Sequence, residues 1–104
     1  MYDKNITFGD LIKELRKKKN WTVKDLNDRL KERIGKTFSH AYITQIEVHN
    51  EIPKADMICA LADILGYDSD KLLSLARENR VIKYSQSLTE KYQKAHALYK
   101  KQKK

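Results

Sequence analysis

The chain has little of the residues that bend or cross-link a fold. Among 104 residues there are three glycines and one proline, too few for the frequent turns of an all-β protein. The single cysteine, Cys59, cannot form an internal disulfide. It lies in the apolar run 57–61, which favours a buried structural thiol. These shortages favour an all-α domain.

Long apolar stretches are absent as well. No run approaches the roughly 20 apolar residues that a membrane span requires. The first six residues, Met1 to Ile6, lack the apolar segment of a signal peptide. We therefore expect a cytoplasmic protein that has no membrane partner.

Catalytic and metal-binding motifs are missing too. The sequence contains no G-x-S-x-G, no H-E-x-x-H and no glycine-rich phosphate loop. His40, His49 and His96 are too scattered along the chain to indicate a metal site. Asp68 and Asp70 are not followed by a calcium-binding loop and instead suit the start of a helix. The sequence predicts no enzyme, no metal and no other cofactor.

Positive charge is abundant and unevenly distributed. The formal net charge is +8. Residues 1–77 carry fourteen basic and twelve acidic side chains, whereas residues 78–104 carry eight and two. A basic C-terminal segment fits contact with phosphates and electrostatic steering, and it equally fits a solvated, partly disordered end.

Five segments carry the start signal of a helix. In each, an apolar residue precedes the starting residue and another follows it by four positions, the pattern of a hydrophobic staple. Thr7, Thr22, Ser39 and Asp68 are good caps, and Pro53 suits a first turn. Gly35 and Gly66 suit left-handed helix ends. The predicted helices are 8–18, 23–34, 39–47, 54–65 and 69–76, with the fourth at the centre of the core.

The segment after the fifth predicted helix differs in composition. Residues 79–86 indicate a linker, and Ser87 with Glu90 forms a capping box that would begin another helix. We therefore divide the chain into a domain, 1–77, and a basic linker with a C-terminal helix, 78–104. One apolar stripe follows at heptad-like spacing: Leu88, Tyr92, Ala95 and Tyr99. This stripe could pack on the domain, pair with a second copy or become ordered on binding.

The third predicted helix has an unusual outer face. Ile43 and Ile46 are three residues apart and point inward together. Short or amide-bearing side chains then point outward: His40, Ala41, Thr44 and Gln45. Such side chains suit the reading of base edges in a major groove, and a glutamine can bond adenine through two hydrogen bonds.

The order of these segments resembles the XRE family, the phage-repressor type of helix-turn-helix domain. The resemblance is carried by residues 8–16, 21–26, 39–47, 53–65 and 67–73. It implies a five-helix, double-stranded DNA-binding domain, and we expect a regulator built on it to act as a homodimer, with an oligomeric state that depends on the C-terminal segment. It also implies an ion pair between Arg16 and Glu47, which would attach the recognition helix to the first helix.

The resemblance assigns positions to the DNA contacts. The family's base-reading positions fall on His40, Ala41, Thr44 and Gln45. Phosphates would be held by exposed N–H groups at the starts of the second and third helices. The side chains best placed to help are Thr22, Lys24, Lys36, Tyr42, His49 and Asn50.

Four features depart from the family pattern. Val23 stands where the family usually has glutamine, and Asn27 stands where it has alanine. The turn 31–38 is longer than usual, and Glu51 adds a negative charge after the recognition helix. Two functions therefore remain. The first is a sequence-specific transcriptional regulator. The second is a protein-interaction module of the antitoxin or anti-repressor type, with a protein partner held through residues 78–104.

Overall fold

Five helices make up the fold. The structure is a computed structural model that describes the backbone of residues 6–102 and the side chains of residues 6–95. The helices are α1 (Phe8–Lys18), α2 (Val23–Ile34), α3 (His40–His49), α4 (Ala55–Leu65) and α5 (Ser69–Gln102), and the described residues form no strand. The predicted all-α helix-turn-helix fold is confirmed.

Most helix starts lie where the sequence predicts them. The side chains of Thr7, Thr22, Ser39 and Asp68 each accept a hydrogen bond from the backbone N–H three residues later, at 3.0–3.1 Å. Each bond satisfies one of the N–H groups that a helix start leaves without an intrahelical partner.

Two predicted features of α4 are wrong. The helix begins at Ala55 with Lys54 as its N-cap, so Pro53 precedes the cap rather than standing in the first turn. Cys59 is exposed rather than buried. The apolar run around Cys59 covers more of the helix circumference than the core can bury. Cys59 and Asp63, four residues apart, share the face that points outward.

A single core lies between the helices. α1 packs mainly on α3, α4 packs on α2 and on the beginning of α5, and α2 also contacts α3. The largest fully buried side chains come from all five helices: Phe8, Leu11, Ile12, Leu26, Leu30, Ile43, Ile46, Leu61 and Leu72. This packing fixes α3 on one side of the domain.

The C-terminal segment is a correction to the prediction. α5 is one continuous helix of 34 residues, so the predicted end at Ala76, the linker 79–86 and the new start at Ser87 are wrong. No glycine or proline interrupts residues 69–102, and nothing in the backbone therefore forces a break. The side chains of residues 80–95 are all exposed. Among the described residues, no helix has the length and apolarity to cross a membrane.

Candidate nucleic-acid interface

The turn before α3 is held by one side chain of α2. α2 ends at Ile34 and is capped by Gly35, whose φ is +83°, and the chain then crosses to the α3 cap at Ser39. The Asn27 side chain donates to the Phe38 carbonyl and accepts from the Phe38 N–H at 3.2 Å. Asn27, which stands where the family usually has alanine, thus holds the longer turn through both backbone groups of Phe38. The asparagine and the longer turn, two departures from the family pattern, therefore form one structural feature.

Phe38 and Tyr42 fix the start of α3 from its inner side. Their rings are stacked with centroids 5.3 Å apart, and both are half-buried against the core. Burial raises the pKa of the Tyr42 hydroxyl, and the nearby charges of Glu51 and Asp56 raise it further. Tyr42 therefore braces the turn, whereas its proposed phosphate contact would have to form near two carboxylates.

The two helices α1 and α3 are joined by a buried ion pair. Arg16 donates through Nε and Nη2 to the two carboxylate oxygens of Glu47, at 2.8 and 2.9 Å. A third bond, from Arg16 Nη1 to the Trp21 carbonyl at 2.7 Å, joins the guanidinium to the start of the α2 segment. The hydrogen bond to Glu47 raises the pKa of Arg16, although burial acts in the opposite direction. The expected Arg16–Glu47 pair is thus present, in the bidentate form that is strongest.

Gly9 allows α1 and α3 to approach closely. A Cβ atom at Gly9 would lie 2.3 Å from the Ile46 carbonyl oxygen and 2.8 Å from that of Glu47. No side chain other than hydrogen fits at that distance. No role was predicted for Gly9 from the sequence, although a glycine in the first turn of an amphipathic helix is a signal of close packing.

The end of α3 is attached to α1 and α5 through two asparagines. Asn50 is the left-handed C-cap of α3, with φ of +53°. Its Oδ1 accepts from the Gly9 N–H at 2.8 Å, and its Nδ2 donates to Asn79 Oδ1 at 2.8 Å. Asn79 also accepts from the Phe8 N–H at 3.1 Å and donates to the Leu75 carbonyl at 2.9 Å. The Asn50 side chain therefore braces the end of α3 through both its polar atoms, and its phosphate contact stays a prediction.

The exposed face of α3 lies opposite these attachments. His40, Ala41 and Gln45 are exposed, and Thr44 is half-buried with its hydroxyl donating to the His40 carbonyl at 3.1 Å. Val48, which is 62% exposed, lies on the same face one turn further along. Val48 was not predicted as a site residue because the predicted helix ends at Glu47, and extending the helical spacing by one turn would have included it.

The predicted phosphate-binding side chains differ in their surroundings. Lys24, Lys36 and His49 are exposed. Thr22 is engaged in a capping box: it accepts from the Asp25 N–H, and its own N–H donates to the Asp25 carboxylate at 2.8 Å. That hydrogen bond lowers the pKa of Asp25, which therefore stays ionised at the N-terminus of α2. The carboxylate offsets part of the helix dipole that would attract a phosphate.

The described residues do not form a metal-binding cluster. No three side chains among His, Cys, Asp and Glu lie close enough together to hold a metal ion. The exposed Cys59 lies on α4, Glu47 is engaged in the ion pair with Arg16, and Glu51 and Asp56 lie near Tyr42. The surface of α3 thus combines a helix attached to its neighbours with an outward row of uncharged, small or hydrogen-bonding side chains.

The comparisons with known proteins agree with this geometry. A family model described as a helix-turn-helix domain matches residues 9–78, two-thirds of the chain. No curated protein and no solved structure matches it. Domains of this family bind DNA and are generally not enzymes. The chain belongs to the helix-turn-helix domain family, in its XRE-like form.

Proposed function

We propose that this protein is a transcriptional regulator that recognises a specific sequence in double-stranded DNA by placing α3 in the major groove. One observation carries the proposal. The inner face of α3 is fixed by the Arg16–Glu47 ion pair and by Asn50, while its outer face presents short side chains to solvent. Readout of bases requires a helix held in a defined orientation with reach to the base edges.

The outer side chains suit different parts of a base pair. Gln45 is exposed and carries the amide that can accept from and donate to adenine at once. Ala41 and Val48 offer apolar contact to a thymine methyl group. Because the Thr44 hydroxyl hydrogen is engaged by the His40 carbonyl, Thr44 offers its methyl group and an acceptor. His40, in the first turn, reaches either a base edge or a phosphate.

Backbone contacts would come from the rim of the same surface. Lys24 lies in the first turn of α2 and Lys36 in the turn before α3, both exposed, and His49 is exposed at the end of α3. We propose these three as the main phosphate contacts, with Thr22 and Tyr42 in supporting positions. Such contacts orient the helix and supply affinity that depends on salt rather than on sequence.

The proposed regulator acts as a homodimer. A single α3 reads only a few base pairs, and two copies that read half-sites about one helical turn, roughly 34 Å, apart would double the contacts. The exposed apolar side chains of α5 provide a surface on which two copies could associate. Dimer formation is tested separately from base reading below.

Replacement of Gln45 by alanine tests base reading. DNA sequences that bind the protein are first selected from a random pool, and binding is then compared with a scrambled sequence. We expect Gln45→Ala to reduce this discrimination by about 1–3 kcal/mol, while Gln93→Ala, an exposed glutamine of α5, leaves it unchanged. Equal affinity of the unmodified protein for selected and scrambled DNA would contradict the proposal.

A second function is favoured by the charge near α3. Residues 1–77 have nearly balanced charge, Asp25 is ionised at the start of α2, and Glu51 is exposed after α3. These features suit a module that binds another protein, as an antitoxin or anti-repressor does. This function would be established by negligible DNA affinity at low salt, together with a stoichiometric protein complex that survives nuclease treatment.

A further inference from the structure

α5 carries an apolar stripe that is exposed to solvent. Val81, Tyr84, Leu88 and Tyr92 are 57%, 65%, 47% and 74% exposed, and Ala95 is exposed too. A helix turns by about 100° per residue, so these five residues lie on one face. Large apolar side chains that are contiguous and exposed indicate a surface for association.

The stripe points away from the domain. The residues of α5 that pack on the domain include Leu72, Ala76 and Asn79, all buried. Asn79 precedes Leu88 by nine residues, or about two and a half helical turns, so Leu88 lies on the opposite side of the helix from Asn79. A partner that covers Leu88 would therefore meet the helix from its free side and would not collide with the core domain.

Within the part of the stripe whose side chains are described, the spacing is symmetric about Leu88. From Val81 to Ala95 the intervals are three, four, four and three residues. A pattern that reads the same in both directions complements itself when two helices run antiparallel about a twofold axis. The occupant that fits this face is therefore a second copy of the same helix.

We propose that α5 pairs antiparallel with α5 of a second copy, with the twofold axis at Leu88. In this arrangement Tyr84 lies level with Tyr92 of the second copy, Val81 lies level with Ala95, and the two Leu88 side chains meet. The inference specifies how copies of the proposed regulator associate, and in that sense it rests on the proposed function.

The size of the stripe fits such a pair. A buried aromatic side chain removes about 150–250 Å² from water, and two copies contribute four tyrosines. Because these side chains are already partly covered, complete coverage of what remains exposed on them and on the two leucines and two valines removes roughly 1,000 Å², the size of a weak, transient interface. Ser87 and Thr89, which flank the centre, are small enough to let the helices approach.

Charge favours the antiparallel orientation over the parallel one. Lys91 is the basic side chain of the described part of α5 that lies nearest the stripe, at its edge, and Arg80, Lys83 and Lys94 lie further round by helical position. A pair would leave the ammonium groups of Lys91 and Lys94 in solvent, while Arg80 and Lys83 keep their hydrogen bonds to the domain. The last five residues, 100–104, contain four lysines. A parallel pair would place the two basic ends together, whereas an antiparallel pair separates them and aligns the helix dipoles favourably.

Cross-linking distinguishes the orientations. In the full chain with Cys59→Ser, which removes the exposed native thiol, single cysteines replace Tyr84, Leu88, Tyr92 or, as a control on the rear face, Glu90. We expect Leu88→Cys to cross-link with itself and Tyr84→Cys to cross-link with Tyr92→Cys in a mixture. Efficient self-linking of both Tyr84→Cys and Tyr92→Cys, or linking through Glu90→Cys, would overturn the proposed pairing.

Sedimentation tests whether the stripe produces the dimer. We expect Leu88→Asp to weaken self-association by at least about 100-fold, since two charges would then be buried at the centre, while Gln93→Asp, on another face, leaves it nearly unchanged. Circular dichroism and the unfolding temperature of the domain should remain unaltered. A monomeric unmodified chain at high concentration would overturn the inference. It would not affect the base-reading proposal, which Gln45→Ala tests on its own.

Discussion

At the scale of the residue, Gly9 sets the distance between α1 and α3. An alanine in a helix interior normally stabilises relative to glycine by about 0.5–1 kcal/mol. Here the added Cβ would meet the Ile46 and Glu47 carbonyl oxygens at 2.3 and 2.8 Å. We therefore expect Gly9→Ala to lower the free energy of unfolding by about 1–3 kcal/mol through overpacking.

Denaturant unfolding measures this change, and Glu14→Ala is the matched control. Glu14 lies exposed on the same helix, so its replacement should change stability by less than about 0.5 kcal/mol. Because the ordinary effect of replacing glycine by alanine has the opposite sign, a stabilised Gly9→Ala variant would contradict the close approach of the two helices.

Residue roles differ in how far the sequence could predict them. Caps at Thr7 and Ser39 depend on groups three residues away and follow from local pattern. The Arg16–Glu47 pair, 31 residues apart, was accessible only through the family resemblance. Asn27 has its partner in an unusually long turn, and the Asn79 bond to the Phe8 N–H spans 71 residues. Neither contact can be inferred from a periodic pattern in the sequence, because each depends on how the helices pack.

At the scale of the element, α5 shows why a local start signal does not define a boundary. Ser87 and Glu90 fit a capping box, but a helix that is already formed continues through such residues at small cost. Side chains of α5 beyond Arg77 also attach it to the rest of the domain. Arg80 donates to the Pro53 carbonyl at 3.0 Å, and Lys83 donates to the His49 and Asn50 carbonyls at 3.2 and 2.5 Å.

The length of α5 that the domain needs can be tested by truncation. We expect a chain ending at Arg77 to lose about 2–4 kcal/mol relative to one ending at Gln86, because it lacks Asn79 and leaves the buried Phe8 N–H without its partner. Thermal and denaturant unfolding give the comparison. The full-length Leu88→Asp variant serves as a monomeric reference, since dimer formation would itself raise stability. Equal stability of the two truncated chains would show that the domain ends at residue 77, as the sequence predicts.

At the scale of the whole molecule, α3 and the stripe of α5 lie in different electrostatic surroundings. The domain up to residue 77 is nearly balanced, and the segment from residue 78 onward carries a net charge of +6 from eight basic and two acidic side chains. Composition alone predicts this division. It does not predict that the basic segment continues a helix attached to the end of α3, since that depends on the contacts of Asn79 and Lys83.

This division predicts opposite salt dependence for two kinds of association. DNA affinity should fall steeply between 50 and 200 mM salt, because binding releases counterions from the DNA and this release becomes less favourable as the salt concentration rises. Lys24→Ala or Lys36→Ala should each reduce the slope of log K against log salt by about 1. Lys71→Ala, an exposed lysine of α5, provides the control.

Self-association should strengthen over the same range, because salt screens the repulsion between two basic helices whose contact is apolar. Fluorescence anisotropy on labelled DNA and sedimentation without DNA measure the two slopes. A self-association that weakens with salt would show that ionic contacts, rather than the Leu88 stripe, hold the two copies together.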